Sequence, residues 1–266
     1  MFKTRLISGI VLVLAALVTI ITGGPVLFGT LVIISLIGMS ELYKVFDIHK
    51  SGAGICGYAF AVLYYVSVYL LWGDALMPLC MAFLIALLMI YVFTYPKYKA
   101  DQMMAAYFGL FYVAVMLSYI YQIRTMPGEG VFLVWLVFLC SWGCDTCAYC
   151  VGVLFGKHKM APVLSPKKSV EGAVGGVVGA ALLGALYALA INQWGGADVS
   201  PLIFASVCAI GGLISMVGDL AASAIKRNYE IKDYGKLIPG HGGILDRFDS
   251  VIFVAPMIYY LLTWIG

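Results

Sequence analysis

The sequence predicts an all-α, polytopic transmembrane helical bundle of about nine spans with a cytoplasmic N-terminus. Three observations carry that prediction. Of the 266 residues, 63% are hydrophobic and 11% are charged, whereas a soluble domain carries about 25% charged residues. So few charges cannot cover a water-soluble globule of this size, and lipid must solvate much of the surface. Apolar runs approaching the ~20 residues that cross a hydrocarbon core recur along the whole chain. The basic residues, finally, segregate to one set of loops.

The runs fall at about 6–22, 25–40, 53–72, 76–94, 103–122, 131–155, 171–192, 201–224 and 247–265. Lys3 and Arg5 precede the first in the manner of a signal peptide. No small-x-small cleavage pattern follows, so it reads as a retained helix. The second is short and runs into Glu41–Lys50, which reads as an interfacial extension. With the N-terminus inside, Lys3, Arg5, Lys44, Lys50, Lys97, Lys99, Lys157, Lys159, Lys167 and Lys168 all face the cytoplasm. So do Lys226, Arg227, Lys232, Lys236 and Arg247. The opposite loops (Gly23–Gly24, Gly73–Asp74, Ile123–Gly130 and Gln193–Ser200) hold only Arg124. A wrong helix count would scramble this positive-inside pattern.

The seven cysteines lie within apolar segments, unlike a secreted disulfide framework. Cys144, Cys147 and Cys150 form a stripe on one helix that cannot close around an ion unaided, so they read as small packing residues. Gly172, Gly175, Gly176, Gly179 and Gly184 mark a helix built for close backbone approach. Ser169 suits its N-cap, and Glu171 in the first turn suits the helix dipole.

Polar chemistry is concentrated near two cytoplasmic loops, Gly156–Ser169 and Ile225–Arg247, separated by one out-and-back helix pair. Asp145 and Asp219 fall inside apolar spans, where a carboxylate costs about 2.5–3.5 kcal/mol at mid-bilayer and needs a polar cavity or partner. The structural alternative for either is a helix–helix hydrogen bond or a position near the interface, and a functional role is the favoured reading. Asp246 and Asp249 open the last span at an i, i+3 spacing that shares one helix face. Asp219, Asp246 and Asp249 are expected to converge, and three clustered anions repel unless cations bind them. Hard oxygen donors favour Mg²⁺; His241 has no second histidine or thiolate in its loop, which disfavours zinc. Cations interleaved with acids, and a backbone rich in glycine at Gly235, Gly240, Gly242 and Gly243, suit a polyphosphate. The loop is not a Walker motif.

The stretch from Ser223 through Lys226, Arg227, Lys232, Asp233, Gly235, Pro239, His241, Gly242, Gly243, Asp246 and Arg247 to Asp249 resembles the signature of the phosphatidate cytidylyltransferases, the CDP-diacylglycerol synthases. The upstream Ser165–Ser169 with Glu171-Gly172, and Asp145–Tyr149, are similar to that family as well, so the resemblance covers roughly residues 140–255. Val153 departs from a position that is often basic, and Ser169 from a common threonine.

The resemblance implies an enzyme that transfers CMP from CTP to phosphatidate, giving CDP-diacylglycerol and pyrophosphate. Asp219, Asp246 and Asp249 would bind Mg²⁺, with Asp145 as a further ligand or the ligand of a second cation. Lys226, Arg227, Lys232 and Arg247 would neutralise phosphates, and Lys167 and Lys168 would hold CTP or the lipid phosphate. His241 would orient a phosphate; Ser165, Asp233, Gly242 and Gly243 would complete the substrate site. Residues 1–130 would form a scaffold offering a surface to membrane lipids or to a second copy in a homodimer. Residues 131–266 would be catalytic, with loops 156–170 and 225–247. A bacterial plasma membrane is the expected location, with the site facing the cytoplasm and no nucleic-acid partner. Competing readings are a lipid-alcohol kinase of similar architecture and an ion-coupled transporter; the paired half-repeats of the latter are not evident.

Overall fold

The computed structural model describes residues 2–73 and 75–265, with side chains for 7–73 and 75–264. The side chains of Lys3 and Arg5, and all of Asp74, lie outside the described residues. Each predicted run is a helical rod, in order: α1 (Phe2–Thr22), α2 (Gly24–Val45), α3 (Gly52–Tyr69), α4 (Leu76–Phe93), α5 (Ala100–Arg124), α6 (Gly130–Phe155), α7 (Val170–Trp194), α8 (Pro201–Asn228) and α9 (Leu245–Ile265). Among the described residues, the seven rods α2 to α8 are long and apolar enough to cross a membrane. The chain is an all-α polytopic membrane protein.

Two local features depart from the expected pattern. The Gly156–Ser169 loop folds into a small antiparallel hairpin of β1 (Lys159–Ala161) and β2 (Ser165–Ser169), with Lys159 opposite Ser169 and Ala161 opposite Ser165. Helix α2 does not stop near residue 40 but continues to Val45, and Glu41, Leu42 and Tyr43 are buried. The expected interfacial extension is therefore partly a packed helical turn. Leu42 and Tyr43 bury enough apolar surface there to hold the helix beyond its purely apolar run.

The chain divides into two compact units. The first holds the chain up to Gln122 together with Asp233–Arg247; the second holds Ile123–Lys232 and the chain from Phe248 onward. In the first unit, Tyr43 is the central contact. Its hydroxyl donates to the Ala106 carbonyl at 2.6 Å, and its ring fills the space left by Gly57 and Gly109, where a Cβ would collide with it. Hydroxyl pairs Ser35–Tyr65 at 2.7 Å and Tyr64–Ser118 at 2.9 Å join α3 to α2 and α5. Such internal pairing is what an apolar solvent requires of buried polar groups.

In the second unit, cysteines pack against glycines. A Cβ on Gly176 would stand 3.0 Å from Cys144 Sγ, and Gly179, Gly211 and Gly184 meet Cys147, Cys140 and Cys208 in the same way. Helix α6 contains a π turn at Leu139–Gly143. This wider turn inserts a residue and shifts the register of the face that follows, which begins with Cys144 and Asp145.

Gly109→Ala should lower the thermal midpoint of the detergent-solubilised protein, because overpacking costs about 1–3 kcal/mol and outweighs the ~1 kcal/mol that alanine gains in a helix. Gly29→Ala is the control, since a Cβ there meets nothing. Equal midpoints for the two variants would refute the Tyr43 contact.

Candidate active site

The second unit builds a largely apolar cavity with charged groups at its edge, at the start of α7. Ser169 caps that helix, accepting from Gly172 N at 3.1 Å as expected. Glu171, one step into the helix, accepts from Lys157 N at 3.1 Å and His158 N at 3.2 Å. It also pairs with the His158 ring at 2.6 Å. A carboxylate at this position is favoured by the helix dipole, and it ties the entry of the hairpin to the first turn of α7.

Anchored in this way, β2 presents two lysines. The Lys168 ammonium forms an ion pair with the Asp219 carboxylate on α8, and the two side chains are 24% and 26% exposed. Asp145 on α6, Lys167, Lys168 and Asp219 all line one cavity of about 380 Å³. Tyr149, Val153, Met160 and Met216 form its apolar walls, and Gly152, Gly172 and Ala173 leave the space open. The cavity thus pairs two acids with two bases beside an apolar wall. Ser223, one turn after Asp219, points its hydroxyl at Asp219 Oδ1 from 3.5 Å. Lys226 and Arg227 occupy the last turn of α8, where cations complement the helix dipole. Asp249 is buried on α9, and its Oδ1 accepts from Ser250 N at 2.9 Å. Its backbone lies close enough to α8 that a Cβ on Gly218 would stand 2.9 Å from the Asp249 carbonyl. Asp219 and Asp249 are therefore carried by closely packed helices at one level. Ser165 lies on β2 opposite Ala161, and Lys232 is exposed beyond α8.

The first unit holds the rest of the signature loop. Asp246 is 5% exposed, and its Oδ2 accepts from Tyr234 N at 2.8 Å and Gly243 N at 3.0 Å. Between these donors the chain makes a tight turn: Ile238 N donates to Gly242 O at 2.9 Å and His241 N to Ile238 O at 3.0 Å. Gly240 and Gly242 take φ of 80° and 87°, values that favour glycine. The turn rests on α1, where Ser8 donates to the Pro239 carbonyl at 3.0 Å and Gly9 faces the His241 ring. Asp233 is exposed and Arg247 half-buried.

One acidic residue of the loop's surroundings was not foreseen. Glu41 on α2 is 4% exposed, and it accepts from Ile244 N at 3.1 Å and Leu245 N at 2.8 Å. Glycines at 235 and 243 make room for it, since a Cβ at either would overlap its carboxylate. An acid within an apolar run was the signal that singled out Asp145 and Asp219. The same signal applies to Glu41 once α2 is seen to extend to Val45.

Among the described residues, no group of three or more His, Cys, Asp or Glu side chains is gathered closely enough to hold a metal ion alone. Of the four predicted ligands, Asp145 and Asp219 share the cavity, Asp249 lies on the helix packed against α8, and Asp246 is held by loop backbone in the first unit.

Fold and site together define a multi-pass, all-α membrane protein with a cavity of mixed charge among its helix ends. The cytidylyltransferase family model matches residues 3–265, and the chain belongs to that family, which bears out the resemblance seen in its signature loop. It is 37% identical over 152 residues to a phosphatidate cytidylyltransferase of Bacillus subtilis, covering 57% of this chain and 55% of that protein. Proteins of the same description from Staphylococcus saprophyticus and Staphylococcus aureus are 38% identical over 154 residues and 39% over 151, covering 56% and 55% of their lengths. The chain thus spans little more than half the length of the curated relatives it matches.

Removing the Glu171 carboxylate should free the entry of the hairpin. In Glu171→Ala, backbone amides of Lys157 and His158 should exchange with deuterium about tenfold faster, the equivalent of one lost hydrogen bond each. Unchanged exchange would show that the hairpin is held by other contacts.

Proposed function

We propose that the chain transfers the cytidylyl group of CTP to phosphatidate, releasing pyrophosphate and leaving CDP-diacylglycerol in the membrane. The observation that carries this reading is the cavity in which Lys167 and Lys168 face Asp145 and Asp219 beside an apolar wall. Such a cavity suits a phosphate attached to a lipid. The relatives' description as phosphatidate cytidylyltransferases supports the choice of substrates.

In this reaction a phosphate oxygen of phosphatidate attacks the α-phosphorus of CTP. The new P–O bond forms as the bond to the bridging oxygen of the β-phosphate breaks, and the electron pair leaves with pyrophosphate. A phosphate monoester carries about −1.5 to −2 charges at neutral pH, so the nucleophile needs little help from a general base. The barrier lies in bringing two polyanions together, and preorganised cations lower it. Lys167 and Lys168 meet the phosphates in the cavity, with Lys168 exchanging Asp219 for the substrate. Lys226, Arg227, Lys232 and Arg247 take up charge on the nucleotide and on departing pyrophosphate, and His241 orients a phosphate. Ser165, Asp233, Gly242 and Gly243 complete the substrate contacts.

Mg²⁺ fits this donor set. All four acids offer hard oxygens, and Mg²⁺ usually takes one or two carboxylates with water and substrate phosphate, so a complete protein cage is not required. Asp219, Asp246 and Asp249 are each proposed as a metal ligand, with Asp145 as a further ligand or the ligand of a second cation. When bound, it would neutralise the phosphates and stabilise the attacking and leaving oxygens. CTP is water-soluble and phosphatidate sits in the leaflet, so the reading places the loops at the cytoplasmic face of a bacterial plasma membrane.

Purified protein given phosphatidate, Mg²⁺ and CTP labelled at the α-phosphorus should yield labelled lipid, whereas γ-labelled CTP should leave its label in soluble pyrophosphate; EDTA should stop both. A γ label on lipid would establish a kinase instead, and no transfer at all would overturn the reading. Asp219→Asn should lower kcat by at least about 10²-fold, the scale of losing one charge-stabilising group, with the thermal midpoint little changed. Near-normal turnover would remove Asp219 from the site.

A further inference from the structure

The first turn of α9 is satisfied in an unusual way. A helix start leaves four backbone N–H groups without intrahelical partners, and a side chain at the residue just before the helix ordinarily accepts from them. Here that residue is Ile244, which has no acceptor, preceded by Gly242 and Gly243. One carboxylate replaces the local cap, and a second holds the residue before it. Asp246 Oδ2 takes Gly243 N, and Glu41, from α2, takes Ile244 N and Leu245 N.

We propose that Glu41 is a positioning residue for the Asp246 carboxylate, an inference that rests on the role proposed above for Asp246. A local serine or aspartate would cap the helix as well but would leave the loop unattached. Glu41 instead fixes three consecutive residues of the turn against α2: Gly243 by close approach and Ile244 and Leu245 by hydrogen bonds. Gly243 N is itself one of the two donors that orient Asp246 Oδ2, and Gly235, beside the other donor Tyr234, also abuts Glu41. Both donors to Asp246 are thus set by the chain that wraps Glu41. Two anions so close in a buried place repel each other, and the positive end of α9 favours both.

The test combines hydrogen exchange with the label-transfer assay on the full chain. Glu41→Gln keeps the side-chain volume but replaces one acceptor oxygen with an NH₂ group. The amides of Tyr234 and Gly243, which bond Asp246 and not Glu41, should then exchange about tenfold faster or more. The kcat should fall at least about tenfold while KM for CTP stays within about twofold, with little change in the thermal midpoint. Glu41→Asp, which retains the charge, should recover part of the kcat. Should Glu41→Gln not fold, Gly235→Ala must produce the same two changes, since its Cβ pushes the Glu41 carboxylate aside without removing it. Unaltered protection at Tyr234 and Gly243, or a kcat that falls only in proportion to the unfolded fraction, overturns the proposal. A wild-type protein that labels no lipid would sink the functional reading alone, and the exchange comparison would still decide the positioning.

Discussion

A buried carboxylate bound to the backbone of a glycine-rich turn is the interaction on which the signature loop depends. Glu41 gives that turn its only acceptors for Ile244 N and Leu245 N among the hydrogen bonds described, and it does so from a helix two hundred residues earlier. Tyr234, Ile238, Ile244 and Leu245 bury apolar surface in the loop, which leaves the backbone donors of the turn to be met. In an environment with scarce water, an unmet backbone donor costs several kcal/mol. The acid therefore meets two of those donors, and the glycines at 235 and 243 are the space it needs.

The second unit solves a related problem with small residues. Without a hydrophobic driving force between helices in lipid, association relies on close packing. Glycines of α7 and α8 admit the cysteines of α6 and α8, and Gly218 lets α8 reach the Asp249 backbone. That close fit brings Asp145, Asp219 and the lysines of β2 to the edges of one cavity. The apparent metal spacing of Cys144 and Cys147 is a by-product of this packing, since both face glycines of α7.

Much of this was legible in the sequence. The nine rods follow the apolar runs in order, because span length and lipid solvation impose a strong pattern on composition. Ser169 as a cap and the glycine stripe of α7 were readable from local spacing. The approach of Lys167 and Lys168 to Asp219 was readable from the out-and-back topology, and the place of Asp145 beside them from the family resemblance alone. What was not legible depends on contacts without a local signature. The end of α2 was read too early because charge interrupts the apolar run, although Leu42 and Tyr43 continue the packing. Glu41 was missed for the same reason, as its partners are backbone groups that no side-chain pattern reveals. The hairpin at 159–169 is short and carries no turn dipeptide of the strong kind.

The pairing of Lys168 with Asp219 also bears on how such a chain is assembled. Synthesis runs from the N-terminus, so the lysine emerges before the aspartate it neutralises. A span bearing a lone carboxylate enters a bilayer at a penalty, and a waiting counter-charge reduces it. Helices α7 and α8 can therefore settle into lipid with the Asp219 carboxylate masked by the lysine that precedes α7 on β2.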